Sequence, residues 1–342
     1  MRKILDYTIP PIKCFLHQAF PLGIFWDEND QNIMNWFCLN YNYILGGTRP
    51  NDYFYTFLMN FSSIPFLQKR EIYGDELELY LTTHSFSTFV KEEINNGNLV
   101  EVLADIFYLE GTGAYNKEHF MHEILILGYD DEKDTFIIRD YYRRVFREIE
   151  VSQSQIVPFE NCSYYGDNVV IKLYRKKDNY FPFDSKSFVL QLKDYYDSIN
   201  PFYRISCVHG TYFEPWEKAF GMEVYDRIID YLEAFDSIDY RPLRMIQEHF
   251  NGMQIKLNYI KKQHYMDLNC LDETINYYTE SANKAEKMVR LALKQTIVSN
   301  DKKEQIKQRI ISQLKELIDS ERIYLKVFLD EADNRTNYNL AS

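Results

Sequence analysis

Residues 121–141 read MHEILILGYDDEKDTFIIRDY. An apolar run, a Gly-Tyr-Asp triplet, a charged turn and a second apolar run make two strands joined by a hairpin. Working outward, residues 120–128, 135–140 and 145–151 predict an antiparallel meander of three strands, with the charged residues 130–134 as a solvated loop. Residues 99–109 alternate apolar with other residues and predict a strand before the meander, closed by a turn at Gly111 to Gly113; residues 168–174 predict one after it. Further upstream, Phe86, Phe89, Val90 and Ile94 recur at helical spacing within residues 75–95, and Gly97 is the stop signal.

Beyond Lys177 the pattern changes from mixed to helical. Helices are predicted over 185–199 and 216–235, from about Arg241-Pro242 onward, and over 271–298 and 303–330. In the last, Ile306, Ile310, Leu314, Leu317, Ile318, Leu325 and Phe328 form a stripe, the signature of a bundle core. The expected organisation is therefore an α+β domain over 1–178, an all-α domain over 183–332, and a flexible tail over 333–342.

The bulk properties exclude several classes. The chain has 342 residues and a net charge of −12, with the acidic excess mainly in the first 180 residues, which argues against nucleic acid as a partner. A basic stretch between Arg139 and Lys177 is an exception, read as outward strand faces or a dock for an acidic partner. No apolar run is long enough for a membrane span, and Pro10-Pro11 interrupts any secretory core, so a cytoplasmic protein is expected. Five scattered cysteines without a Cys-x-x-Cys pair indicate neither a disulfide framework nor a thiolate zinc site. Phosphate-loop, dinucleotide, HExxH and Gly-x-Ser-x-Gly motifs are missing.

Chemistry is best placed at the open end of the 121–141 hairpin. If its strands pair, His122 at the start of one returns beside Asp140 at the end of the other, and a carboxylate there holds an imidazole as a general base. The alternative is a structural histidine and an ordinary strand-end aspartate. His119, three residues before His122, points to the other face of a strand, so the two do not share a metal and no metal site is expected. A thiol near a helix N-terminus would supply a nucleophile, and Cys14 lies just before the apolar run Phe15 to Phe25. It competes with the plain reading of a buried, inert cysteine. Cys38 ranks lower because its neighbourhood is strongly apolar. Tyr108, Glu110 and Tyr115 lie where they would line a substrate cleft or simply pack a loop.

The 121–141 segment resembles the His-bearing strand pair of papain-like cysteine peptidases of the bacteriocin-processing (C39-like) type, and more closely the N-terminal domain of the butirosin biosynthesis protein H family. KCFLHQAFPLGIF (13–25) fits the segment where that family has its cysteine and following helix. The resemblance spans roughly residues 5–175 and implies a papain-like domain with an antiparallel sheet, followed by a helical part. It implies an acyl or aminoacyl transferase of natural-product biosynthesis. Cys14 would take an acyl group from a carrier-protein thioester and pass it to a small-molecule amine, with His122 as base and Asp140 as orienter. The partner would be an acyl or peptidyl carrier protein bringing its own phosphopantetheine, with no other cofactor. The long terminal helices would suit a homodimer.

Two departures bear on this expectation. The stretch before Cys14 where papain-type enzymes carry an oxyanion glutamine is Tyr7-Thr8-Ile9, and Pro21 falls where the nucleophile helix should continue. A non-catalytic scaffold that engages a peptide synthetase or carrier protein is the alternative, and a cysteine peptidase a third.

Overall fold

The computed structural model describes residues 1–49, 52–58, 64–142, 145–158, 169–201, 218–235 and 238–338. In chain order the first elements are β1 (Arg2–Ile4), α1 (Leu16–Phe25), α2 (Gln31–Cys38), β2 (Tyr43–Arg49), β3 (Asp52–Leu58) and β4 (Leu67–Tyr73). Next come α3 (Gly74–Leu81), α4 (Phe86–Asn95), β5 (Leu99–Asp105), β6 (Met121–Asp130), β7 (Thr135–Tyr142), β8 (Val145–Ser152) and β9 (Val169–Lys176). The remainder is α5 (Ser185–Tyr196), β10 (Lys218–Phe220), α6 (Glu223–Ala234), α7 (Arg241–Lys262), α8 (Leu271–Lys294) and α9 (Asn300–Tyr338). Mixed α and β thus gives way to an all-α segment of α7, α8 and α9.

Two compact units share these elements: Met1–Asp27 with Ile64–Asn179, and Glu28–Ser63 with Tyr180–Ser342. The first holds a seven-stranded antiparallel sheet in the order β4-β9-β5-β6-β7-β8, with β1 added beside β6. Along one flank of β6, β5 pairs with Met121 to Ile126 and β1 with Gly128 to Asp130. The hairpin forms as expected, but its register against β7 shifts between Ile126 and Gly128, so Leu125 opposes Arg139. One sheet face carries Val100, Val102, Ile124, Ile126, Phe136 and Ile138, packed against Phe89, Val90 and Ile94 of α4. The other receives α1. Tyr7, whose hydroxyl donates to the Ala19 carbonyl of α1, stacks under the Arg139 guanidinium, and Phe20 lies against Phe146 of β8.

The Gly-Tyr-Asp triplet has a structural reason at each position. A Cβ on Gly128 would sit 2.1 Å from the Lys3 carbonyl oxygen, so the missing side chain admits β1. Tyr129 is buried and donates to Asn95 Oδ1 at the end of α4. Asp130 Oδ1 accepts the Glu132 amide at 3.0 Å and so shapes the charged turn.

Several elements differ from the sequence expectation. The helical stretch expected within 75–95 is α4, capped by Ser85, which accepts the Thr88 amide, and a separate helix, α3, precedes it. The strand from 99 ends at Asp105, whose carboxylate accepts the Phe107 amide and turns the chain. Within 216–235 a short strand, β10, precedes α6. The first six residues of the expected tail continue α9. Cys162, Cys207, His209, Trp216, Arg143, Arg144 and residues 339–342 lie outside the described residues.

In the second unit β10, β2 and β3 form a small sheet, joined by helices α2 and α5 to α9. Asp30 caps α2 and Asp184 caps α5, each accepting two backbone amides. In the core of the helices the Glu321 carboxylate is fully buried. It accepts hydrogen bonds from His249 Nε2 at 2.9 Å and from the hydroxyls of Tyr225, Tyr195 and Tyr278 at 2.7, 3.2 and 3.2 Å. Among the described residues no helix is long and apolar enough to cross a membrane.

Candidate active site

The hairpin brings His122 and Asp140 together. His122 Nε2 lies 3.0 Å from Asp140 Oδ1, and the carboxylate, only 4% exposed, also accepts the Tyr141 amide. Burial favours the neutral ring, but the hydrogen bond and charge of Asp140 outweigh it and raise the His122 pKa above its ordinary value. With Nε2–H given to Asp140, Nδ1 is the nitrogen left to accept a proton.

Cys14 lies two residues before the first residue of α1, with Phe15 as the extended N-cap. It is therefore within reach of the positive end of the helix dipole. The residue is buried, 8% exposed. Its loop is tied to β7: the Tyr141 hydroxyl donates to the Lys13 carbonyl at 2.7 Å. Alternation along β7 sends Tyr141 and Asp140 to opposite faces, so this tether and the imidazole pair leave the strand end on different sides. Pro21 is accommodated inside a helix of ten residues. Where a glutamine was sought, Tyr7 instead binds α1, its hydroxyl engaged by Ala19 and thus committed to the helix. Cys38 is fully buried, and burial pushes its thiol up to about 12 despite the nearby Lys256, which keeps it below Cys14 as a nucleophile.

The loop from Ile106 to Phe120 closes over the same strand end. Its two ends pair through the Ile106 amide and the Phe120 carbonyl, and the Thr112 hydroxyl binds the carbonyls of Ile106 and Leu109. Gly111, at φ +85°, has no room for a Cβ against the Tyr142 hydroxyl, so the loop is tucked onto the end of β7. Tyr108 and Glu110 of this loop are exposed and Tyr115 is half-buried.

In the first unit a second imidazole–carboxylate pair was missed by the sequence reading, which weighed His119 only as a metal ligand. His119 Nδ1 lies 2.5 Å from Asp105 Oδ2, and its ring stacks on Phe107 at 4.4 Å. Asp105 Oδ1 accepts the amides of Phe107 and Phe120. Burial alone would raise the Asp105 pKa, yet these hydrogen bonds hold it below the usual carboxylate range. The signal available was an aspartate within the strand expected over 99–109 and a histidine just before the one expected from 120. Among the described residues, no three His, Cys, Asp or Glu side chains converge to hold a metal ion.

Residues 76–141 match the family model for butirosin biosynthesis protein H, N-terminal. The match takes in α4, β5, β6 and all but the last residue of β7, with His122 and Asp140, and it agrees with a papain-like domain in this part of the chain. None of the curated proteins compared matches the chain.

Proposed function

Starting from a family match that contains both members of the His122–Asp140 pair, we propose that the chain is an amide-forming acyl or aminoacyl transferase of natural-product biosynthesis. The donor is a thioester on the phosphopantetheine of a carrier protein, and the acceptor is a small-molecule amine. His122 Nδ1 takes the proton of Cys14; the thiolate attacks the donor carbonyl, and the carrier thiol leaves with that proton. Asp140 holds the ring and stabilises its charged form. The amine then attacks the Cys14 thioester, forming the amide and releasing the thiol. Tyr108, Glu110 and Tyr115 line the approach.

The observation that carries this reading is the 3.0 Å contact between a raised-pKa imidazole and a buried carboxylate. For the thiol to meet His122 Nδ1, it comes round the strand end to which Tyr141 ties its loop. The burial of Cys14 favours a second reading, a non-catalytic papain-like scaffold for a carrier protein or synthetase.

Intact-mass measurement after incubation with acetyl-N-acetylcysteamine decides between them. We expect one acetyl adduct on Cys14, lost in Cys14→Ala and slowed roughly 10²-fold or more in His122→Gln. An unmodified wild-type protein, or an adduct that persists in Cys14→Ala, removes the transferase reading.

A further inference from the structure

An amine acceptor poses a proton problem that a water acceptor does not. An alkylamine has a pKa near that of lysine, about 10.4, so at pH 7 only about one molecule in 2,500 is neutral. To become an amide nitrogen, the ammonium sheds two protons. Within the reading above, one goes to His122 as nitrogen attacks and passes on to the departing Cys14 thiolate. The other needs a separate base, with an exit to solvent.

Register and alternation put a candidate in place. Ala104 of β5 opposes His122, and Asp105 opposes Met121, so Asp105 is one residue along from the site and on the opposite sheet face. Leu125 opposes both Glu101 and Arg139, which puts Asp105 on the same face as Tyr141, the residue that holds the Cys14 loop. His122 and Asp140 stand on the other face. The carboxylate that holds His119 thus shares its sheet face with Tyr141, two strands away across β6, and His122 serves the opposite face.

His119 is built as a base. The Nδ1–H donates to a carboxylate that is itself fixed by two backbone amides, and Phe107 stacks on the ring. This sets the tautomer and leaves the lone pair on Nε2. The side chain is 61% exposed, and among the described residues Nε2 makes no hydrogen bond.

We propose that the His119–Asp105 pair is a second catalytic base of the transfer reaction, and that the acceptor arrives as an alkylammonium ion whose first proton is taken by His119 Nε2 and released to solvent. The proposal rests on the transferase reading. In balance, the ammonium and the Cys14 thioester give the amide, the Cys14 thiol and one proton: the C–N bond forms as the C–S bond breaks. His119 handles the released proton and His122 the one returned to sulfur.

The test compares two acceptors on one acyl-enzyme. Wild type and His119→Gln are acetylated with acetyl-N-acetylcysteamine and then treated at pH 7 with n-propylamine, which is protonated, or with hydroxylamine, which is not. In His119→Gln we expect amide formation from propylamine to fall roughly 10²-fold. Hydroxamate formation should stay within twofold, and the propylamine rate should recover towards wild type as the pH approaches 10. Equal losses with both acceptors, or no loss with either, overturns the proposal while leaving the transferase reading intact. No acetyl adduct on Cys14 of the wild type overturns the transferase reading, and this proposal with it.

Discussion

Lys256 is fully buried in the second unit, where its ammonium donates to the Asn40 carbonyl at 2.7 Å and Asn42 Oδ1 at 2.6 Å and lies over the Phe37 ring. Those carbonyls follow the C-terminus of α2, a place that favours a cation. Desolvation dominates nevertheless and lowers its pKa from 10.5 to about 7. Between those two values the unfolded chain holds a proton that the folded chain has released, so this group makes stability rise with pH across that window and exacts its full cost below about pH 7. Urea unfolding of wild type and Lys256→Met at pH 7 and pH 10 checks this. The wild type should gain about 4 kcal/mol relative to the variant over that interval, and parallel pH profiles would contradict the assignment. The same residue shows the reach of sequence reading at this scale. His122 and Asp140 were legible because a hairpin brings them together, whereas Lys256 and Asn40 meet across 216 positions that no periodicity connects.

At the scale of elements, the meander was legible because its strands are neighbours in sequence and alternate cleanly. The short strand β1 was not: three residues carry no period, and its place depends on a gap that Gly128, opposite Ile4, leaves for the Lys3 carbonyl. Gly128→Ala should therefore act on β1 before it acts on the hairpin. We expect a loss of roughly 1–3 kcal/mol and faster hydrogen exchange at the Leu5 amide, which donates to the Leu127 carbonyl at 2.9 Å. Unchanged protection at Leu5 would show that the backbone yields without cost. The split of residues 75–95 into α3 and α4 follows the same rule. A local cap, Ser85, marks where α4 begins, which the apolar stripe from Phe86 to Ile94 alone does not.

On the scale of the molecule, the helical half was readable as helices but not as an assembly. The stripe of α9 points to a core, yet its most consequential member is polar. Glu321 gathers donors from α5, α6, α7 and α8, so one side chain joins five helices. Glu321→Ala takes the carboxylate from four buried donors, of which Tyr195 keeps only the Tyr225 hydroxyl at 3.5 Å, and should cost about 3–5 kcal/mol. Urea unfolding followed by helical circular dichroism measures it, and a cost under about 1 kcal/mol would show that the donors find other partners. The sequence also concealed where the units divide. Residues 28–63 lie inside the mixed region by composition, but they are part of the second unit because Asn35, Asn42 and Tyr43 bond to Phe181, Gln191 and Asp194.

That interleaving constrains the order of events on the ribosome. The stretch Glu28–Ser63 emerges early, yet Lys256 and Tyr259, which seal it, are translated some two hundred residues later. At roughly 5–20 residues per second, its apolar helix waits ten seconds or more for company. During that wait the sheet around it is free to close, looping the orphan segment outward until the tail end of synthesis reclaims it.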